Sequence, residues 1–114
     1  MSNQANLLPG TLELLILKAV SLSPQHGYGI LLRIEQISGS AFSIEQGALY
    51  PALYRLERQK LLHTQWGVFD NNRRAKYYRL TAAGVKRLKE ETEGWDRRVS
   101  AMAAALGARL EQTR

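Results

Sequence analysis

Cysteine is absent from this chain of 114 residues, which excludes disulfides and thiolate metal sites. No apolar run approaches the roughly 18–20 residues that a membrane span requires. The longest stretch, Leu12 to Leu22, is broken by Glu13 and Lys18. The first ten residues, MSNQANLLPG, have neither a basic n-region nor an apolar h-region, so no secretion signal is expected. With these absences, a cytoplasmic location without membrane association is the expectation. Enzymatic signatures are lacking as well. There is no G-x-S-x-G, no GxxxxGK, no HExxH and no carboxylate dyad on a common face. The two histidines, His26 and His63, have no ligand-forming neighbours in sequence, so neither metal nor cofactor is expected. His26 reads as a helix-start residue with a satisfied hydrogen bond. There is no internal repeat and no low-complexity segment.

What is present is ordinary globular composition with a basic excess. Apolar residues make up 45% of the chain, enough for a core, and the length suits one folded unit. Sixteen basic against ten acidic residues leave a net charge of +6, which favours an anionic partner such as nucleic acid.

The organising stretch is Ser43 to Lys60, SIEQGALYPALYRLERQK. Leu49, Leu53 and Leu56 fall at i, i+4 and i+7, an apolar stripe that must be buried. Ser43 followed three residues later by Gln46 matches a capping box and predicts a helix start at Ser43. The first turn then offers Gln46, Gly47 and Tyr50 outward. An exposed helix N-terminus suits a phosphate. Pro51 crowds the carbonyl of Gly47, where glycine relieves the contact. The alternative is that Pro51 marks a later helix start near Leu49.

Upstream, residues 1–10 form an arm that turns apolar at Leu7 and Leu8 and breaks at Pro9-Gly10. Thr11 is the expected cap of a first helix reaching about Leu22, apolar on more than one side. Ser23-Pro24-Gln25 predicts a turn. A second helix, from about His26 to Ser38, carries the stripe Ile30, Leu31, Ile34 and Ile37. Two helices, a short turn and a third helix with polar residues at its start make a helix-turn-helix pattern.

The period changes between Leu61 and Leu80. Trp66, Val68 and Phe69 precede Asp70-Asn71-Asn72, and Tyr77, Tyr78 and Leu80 follow it, which predicts a β-hairpin. Arg73, Arg74, Lys76 and Arg79 make its tip and return strand basic. A basic hairpin after a recognition helix is a wing, suited to the sugar-phosphate backbone. Trp66 is expected to pack the wing against the body. From Thr81, a cap, the chain turns helical. Val85, Leu88, Thr92, Trp95, Val99, Met102, Leu106 and Leu110 recur close to heptad spacing. Roughly thirty residues would make a rod of about 45 Å, longer than so small a domain can cover. The seam predicts a homodimer.

The order LLPGTLELLILKAV, HGYGI, GALYPALYRLERQKLL and RRAKYYRLTAAG resembles the PadR family of bacterial transcriptional regulators. The resemblance runs from about Leu8 to Gly84 and fits the short subclass with a single C-terminal helix. It implies a mainly α fold with a small β-hairpin, a winged helix-turn-helix over 1–81 and a dimerisation helix over 82–114. It implies a dimeric repressor of promoter DNA, released by a small hydrophobic or phenolic effector. By the same resemblance, Ser43, Gln46, Gly47 and Tyr50 fall on the recognition helix. Arg73, Arg74 and Lys76 fall on the wing, and Tyr28 falls near the DNA-facing side. Leu88, Trp95, Val99, Met102, Leu106 and Leu110 are the expected interface between copies, and Trp95 is a candidate effector contact.

Blander readings remain beside these. Tyr50 is either a contact or packing, and Tyr54 is expected to pack. The Arg73, Arg74, Lys76 cluster is either a phosphate grip or a solvated hairpin tip. Trp95 and Met102 fit a dimer core better than a ligand cage. The rival function is a winged-helix adaptor that binds protein or RNA instead of duplex DNA.

Overall fold

The computed structural model describes residues 10–68 and 73–110. The expected N-terminal arm with Leu7 and Leu8, the hairpin tip Phe69 to Asn72 and the tail beyond Leu110 lie outside the described residues. The elements run α1 (Thr11–Leu22), β1 (Gln25–His26), α2 (Gly27–Ile37), α3 (Gln46–Arg58), β2 (Leu62–Val68), β3 (Arg74–Leu80) and α4 (Ala82–Leu106). Four helices and a three-stranded antiparallel sheet of order β1-β3-β2 make a winged helix with a long C-terminal helix.

The core is the convergence of the expected stripes. Ile16, Leu17, Ala19 and Val20 of α1 meet Ile30 and Ile34 of α2 and Leu49, Leu53 and Leu56 of α3. Ile44, Leu61, Leu62 and Tyr78 close it from the loops and sheet. Ile37, expected in the α2 stripe, is 44% exposed because the helix ends there. Tyr54 also departs from expectation. It is 61% exposed, with the Arg58 guanidinium 5.7 Å from its ring, because the leucine stripe already fills the buried face of α3.

Helix ends differ from the sequence expectation in instructive ways. Gly10, not Thr11, occupies the cap position of α1, with φ of 84° and its carbonyl accepting from the Leu14 N–H. The stretch after α1 is not merely a turn. Gln25 and His26 pair with Tyr78 and Tyr77 as a short strand. His26 then caps α2, its Nδ1 accepting from the Gly29 N–H at 3.0 Å. Helix α3 starts at Gln46 with Glu45 at the cap position, so the Ser43–Gln46 capping box does not form. Ser43 is in the irregular lead-in, where buried Ile44 anchors the chain, and the helix begins after the extended Glu45. Nor does Pro51 start the helix, since α3 runs through it from Gln46.

At the other end of α3, the Leu61 N–H returns to the Leu56 carbonyl and the Lys60 N–H to the Glu57 carbonyl. This is a Schellman closure, with Lys60 at φ of 63° in the place glycine usually takes. Thr81 joins this exit to α4. Its hydroxyl donates to the Lys60 carbonyl at 2.7 Å and accepts from the Gly84 N–H at 2.9 Å. Its own N–H donates to the Leu61 carbonyl at 3.1 Å.

Helix α4 packs its first turns on the body through Gly84 and Leu88 and then leaves it. Twenty-five helical residues span about 37 Å, and the molecule measures 66 × 34 × 20 Å. The helix stops at Leu106 with Gly107 as its cap, so Leu110 is off the expected rod.

Candidate nucleic-acid interface

The first turn of α3 faces outward. Gln46 and Gly47 are exposed, and a side chain added at Gly47 would meet open space. Tyr50, one turn on, is 43% exposed. Its ring crosses Gly27 at the start of α2, so the phenol is held against the α2 backbone and not within the core. Tyr28, 51% exposed, extends the same surface from α2.

The wing faces this surface. Tyr28, Tyr50, Trp66, Arg73, Arg74 and Lys76 line an open groove of about 670 Å³ between the start of α2, the first half of α3 and the hairpin. His26, Gly27 and Tyr78 form its inner wall. Of the eight residues expected at a DNA contact, five therefore meet in one groove, with Gln46 and Gly47 on the adjoining helix turn. Ser43 stays half-buried in the lead-in.

The groove's chemistry is aromatic and cationic. The Arg74 guanidinium stacks 4.8 Å from the Trp66 ring centroid. Trp66 is 58% exposed and so does not pack the wing against the body as expected. Diagonal to Arg74, two residues off its partner Lys76 in the β2–β3 register and on the same face, it presents its ring to the cation instead. Lys76 is held within the chain: its Nζ donates to Glu57 Oε1 at 3.2 Å and lies 5.7 Å from the Tyr78 ring. The other carboxylate oxygen, Oε2, accepts from the Thr64 hydroxyl at 3.2 Å.

Two titratable groups in the inner wall are shifted. Burial holds the Tyr78 hydroxyl above its ordinary value, with Glu57 and then Tyr50 adding to the effect, so Tyr78 stays neutral. Burial lowers His26, which favours the neutral ring that its cap bond needs. Sequence reasoning left Glu57 and Thr64 out of the site. No sequence spacing marks Glu57, and only the fold brings it against the hairpin.

The far end of the molecule carries the other candidate residues. Trp95, Val99, Met102 and Leu106 are 40%, 48%, 56% and 78% exposed. Arg98 lies over the Trp95 ring at 5.6 Å. Leu88 differs from its neighbours in the seam, since it packs against its own chain's core. Leu110 is 86% exposed beyond the helix end. Among the described residues, no group of His, Asp or Glu side chains could hold a metal ion, and no helix is long and apolar enough to cross a membrane.

Known proteins share this fold. A PadR family transcriptional regulator from Eggerthella lenta is 30% identical, with a TM-score of 0.74 over 88% of this chain and 85% of that one. A Streptococcus mutans protein is 32% identical, with a TM-score of 0.74 over 91% of each chain. A PadR-like transcriptional regulator from Bacillus cereus has the same fold, with a TM-score of 0.78 at 24% identity over 91% of this chain and 99% of that one. Residues 16–90 match the model of the transcriptional regulator PadR-like family. A regulator family, and not an enzyme family, is thus where the sequence motifs, the winged helix and the long last helix lead: the chain belongs to the PadR-like family of transcriptional regulators.

Proposed function

We propose that this regulator acts as a homodimeric repressor that reads duplex DNA with α3 and grips the strands with its wing. The observation that carries the reading is the single groove in which Tyr28, Tyr50, Arg73 and Arg74 converge beside the open first turn of α3. Gln46 suits an adenine edge, and Tyr50 suits a phosphate or a thymine methyl. Arg73 and Arg74 suit phosphates, because exposed guanidinium groups neutralise backbone charge and fix register. Residues 1–81 then form the DNA-binding part and 82–114 the pairing part.

Pairing is supported by the apolar seam Trp95, Val99, Met102 and Leu106, which the chain's own body leaves uncovered. Two copies joined there present two reading helices to major grooves about 34 Å apart. A small hydrophobic or phenolic effector entering beside Trp95 would alter how the two α4 helices cross, and so the spacing of the reading heads.

The test measures binding to duplex DNA selected by the protein from a random pool, across a salt series. Affinity should fall steeply with salt, and Arg73→Ala or Arg74→Ala should lower the slope by about 1 each. Sedimentation should show a dimer that Leu106→Glu converts to monomer with weakened DNA binding. No duplex binding at low salt would favour a protein- or RNA-binding adaptor instead, and a Leu106→Glu variant that remains dimeric would refute the seam.

A further inference from the structure

The wing is a lever, and its support is unevenly placed. Strand β1 pairs with β3 only at Tyr77 and Tyr78. From Lys76 outward the hairpin is a bare two-stranded ribbon, and such ribbons have little rigidity of their own. At this point a carboxylate from α3 takes hold of both strands. Thr64 faces Tyr78 and Lys76 faces Trp66 in the register, so Thr64 and Lys76 are diagonal neighbours on one face. Glu57 spans that diagonal, with one oxygen on the Lys76 ammonium and the other on the Thr64 hydroxyl.

We infer that Glu57 is a positioning residue for DNA binding, fixing the wing's angle to the recognition helix, and that Lys76 serves this brace and not a phosphate. The inference rests on the DNA-binding reading above. Arg73 and Arg74 lie two or three residues beyond the brace, about 7–10 Å along the strand. A swing of roughly 20° there would move them by about 3 Å, enough to break any hydrogen bond to a phosphate. The pair is worth little to folding, because Lys76 and Glu57 remain 37% and 32% exposed. What it sets is geometry between the element that reads bases and the element that holds the backbone.

A simple charge effect predicts the opposite sign. Glu57 is an anion near a polyanion, so Glu57→Gln should tighten DNA binding if only Coulomb attraction mattered, and Glu57→Asp should change nothing. A brace predicts weaker binding for both, by about tenfold, because the neutral amide loses the ion pair and the shorter acid cannot reach. The salt slope should become shallower by about 1–2 in both variants as Arg73 and Arg74 lose their phosphates. Lys76→Met should lose as much as Glu57→Gln, and the double variant no more than either, since a shared contact makes losses non-additive.

The experiment is this cycle on the full chain, with duplex DNA selected by the parent protein and thermal midpoints measured alongside. Should Glu57→Gln be unfolded at the assay temperature, Glu57→Asp carries the comparison. Binding by either Glu57 variant as tight as the parent's, or additive losses with Lys76→Met, would overturn the brace. A parent chain that binds no duplex would overturn the DNA-binding reading itself, a result separate from any variant.

Discussion

The Tyr50 ring lies across the backbone of Gly27, so close that a β-carbon at Gly27 would stand 2.7 Å from both its Cε1 and its hydroxyl oxygen. Helix α2 thereby sets where α3 holds its phenol. The atoms in the way are the far end of one half-exposed side chain, which can swing aside. Gly27→Ala should therefore leave the thermal midpoint nearly unchanged while displacing Tyr50 into the groove. DNA affinity should fall by about tenfold, the worth of one charge-assisted hydrogen bond. Tyr50→Phe should show a similar loss if the hydroxyl is the group that matters. Fluorescence anisotropy with labelled duplex measures both.

Gly84 is the stricter glycine. A β-carbon there would overlap the Leu61 carbonyl, which is backbone and already bonded to the Thr81 N–H. Nothing flexible can yield, so Gly84→Ala must push α4 off the exit of α3. Unfolding in urea should show a loss of about 2–4 kcal/mol, in the range of a strained or overpacked core.

Lys60 offers the reverse experiment. A lysine at φ of 63° closes α3 where glycine would adopt the same angles without steric cost. Lys60→Gly should stabilise the fold by about 1 kcal/mol in urea unfolding, with the entropy of the more flexible unfolded chain offsetting part of the gain. The Thr81 bond to the residue's carbonyl is unaffected, because it belongs to the backbone.

His26 should make stability depend on pH. Its Nδ1 accepts from the Gly29 N–H, and only the unprotonated nitrogen can do so. Burial lowers the folded-state pKa below the ordinary histidine value of 6.5, so the unfolded chain binds the proton first. The contribution is fully present above pH 6.5 and is lost as pH falls through the lowered folded value. His26→Asn keeps an acceptor at the cap and should flatten the dependence of the thermal midpoint on pH in that window.

What the amino-acid order determined by itself was local and periodic. The stripes Leu49, Leu53, Leu56 and Ile16, Ala19, Val20 specify buried helix faces, and aromatic and β-branched residues on both sides of Asp70-Asn71-Asn72 specify a hairpin. The motifs HGYGI and LYPAL lie within residues 16–90, the stretch that matches the family. The start of α3 differs from the expectation because Ser43 and Gln46 have the spacing of a capping box, while the burial of Ile44 is decided by the rest of the core. Large rings normally bury, but Tyr54 is on a helix whose buried face the leucines already fill, and Trp66 turns its ring to Arg74 on the hairpin. Lys60 gave no sign of a left-handed closure, since that conformation is imposed by the Leu61 and Lys60 N–H groups turning back to Leu56 and Glu57. Lys76 shows the division most clearly. Its charge is in the sequence, but its role depends on Glu57, nineteen residues away, and only folding brings the two within 3.2 Å. Periodicity records which face a residue turns inward; what a polar side chain touches depends on elements distant along the chain, and tertiary packing alone decides that.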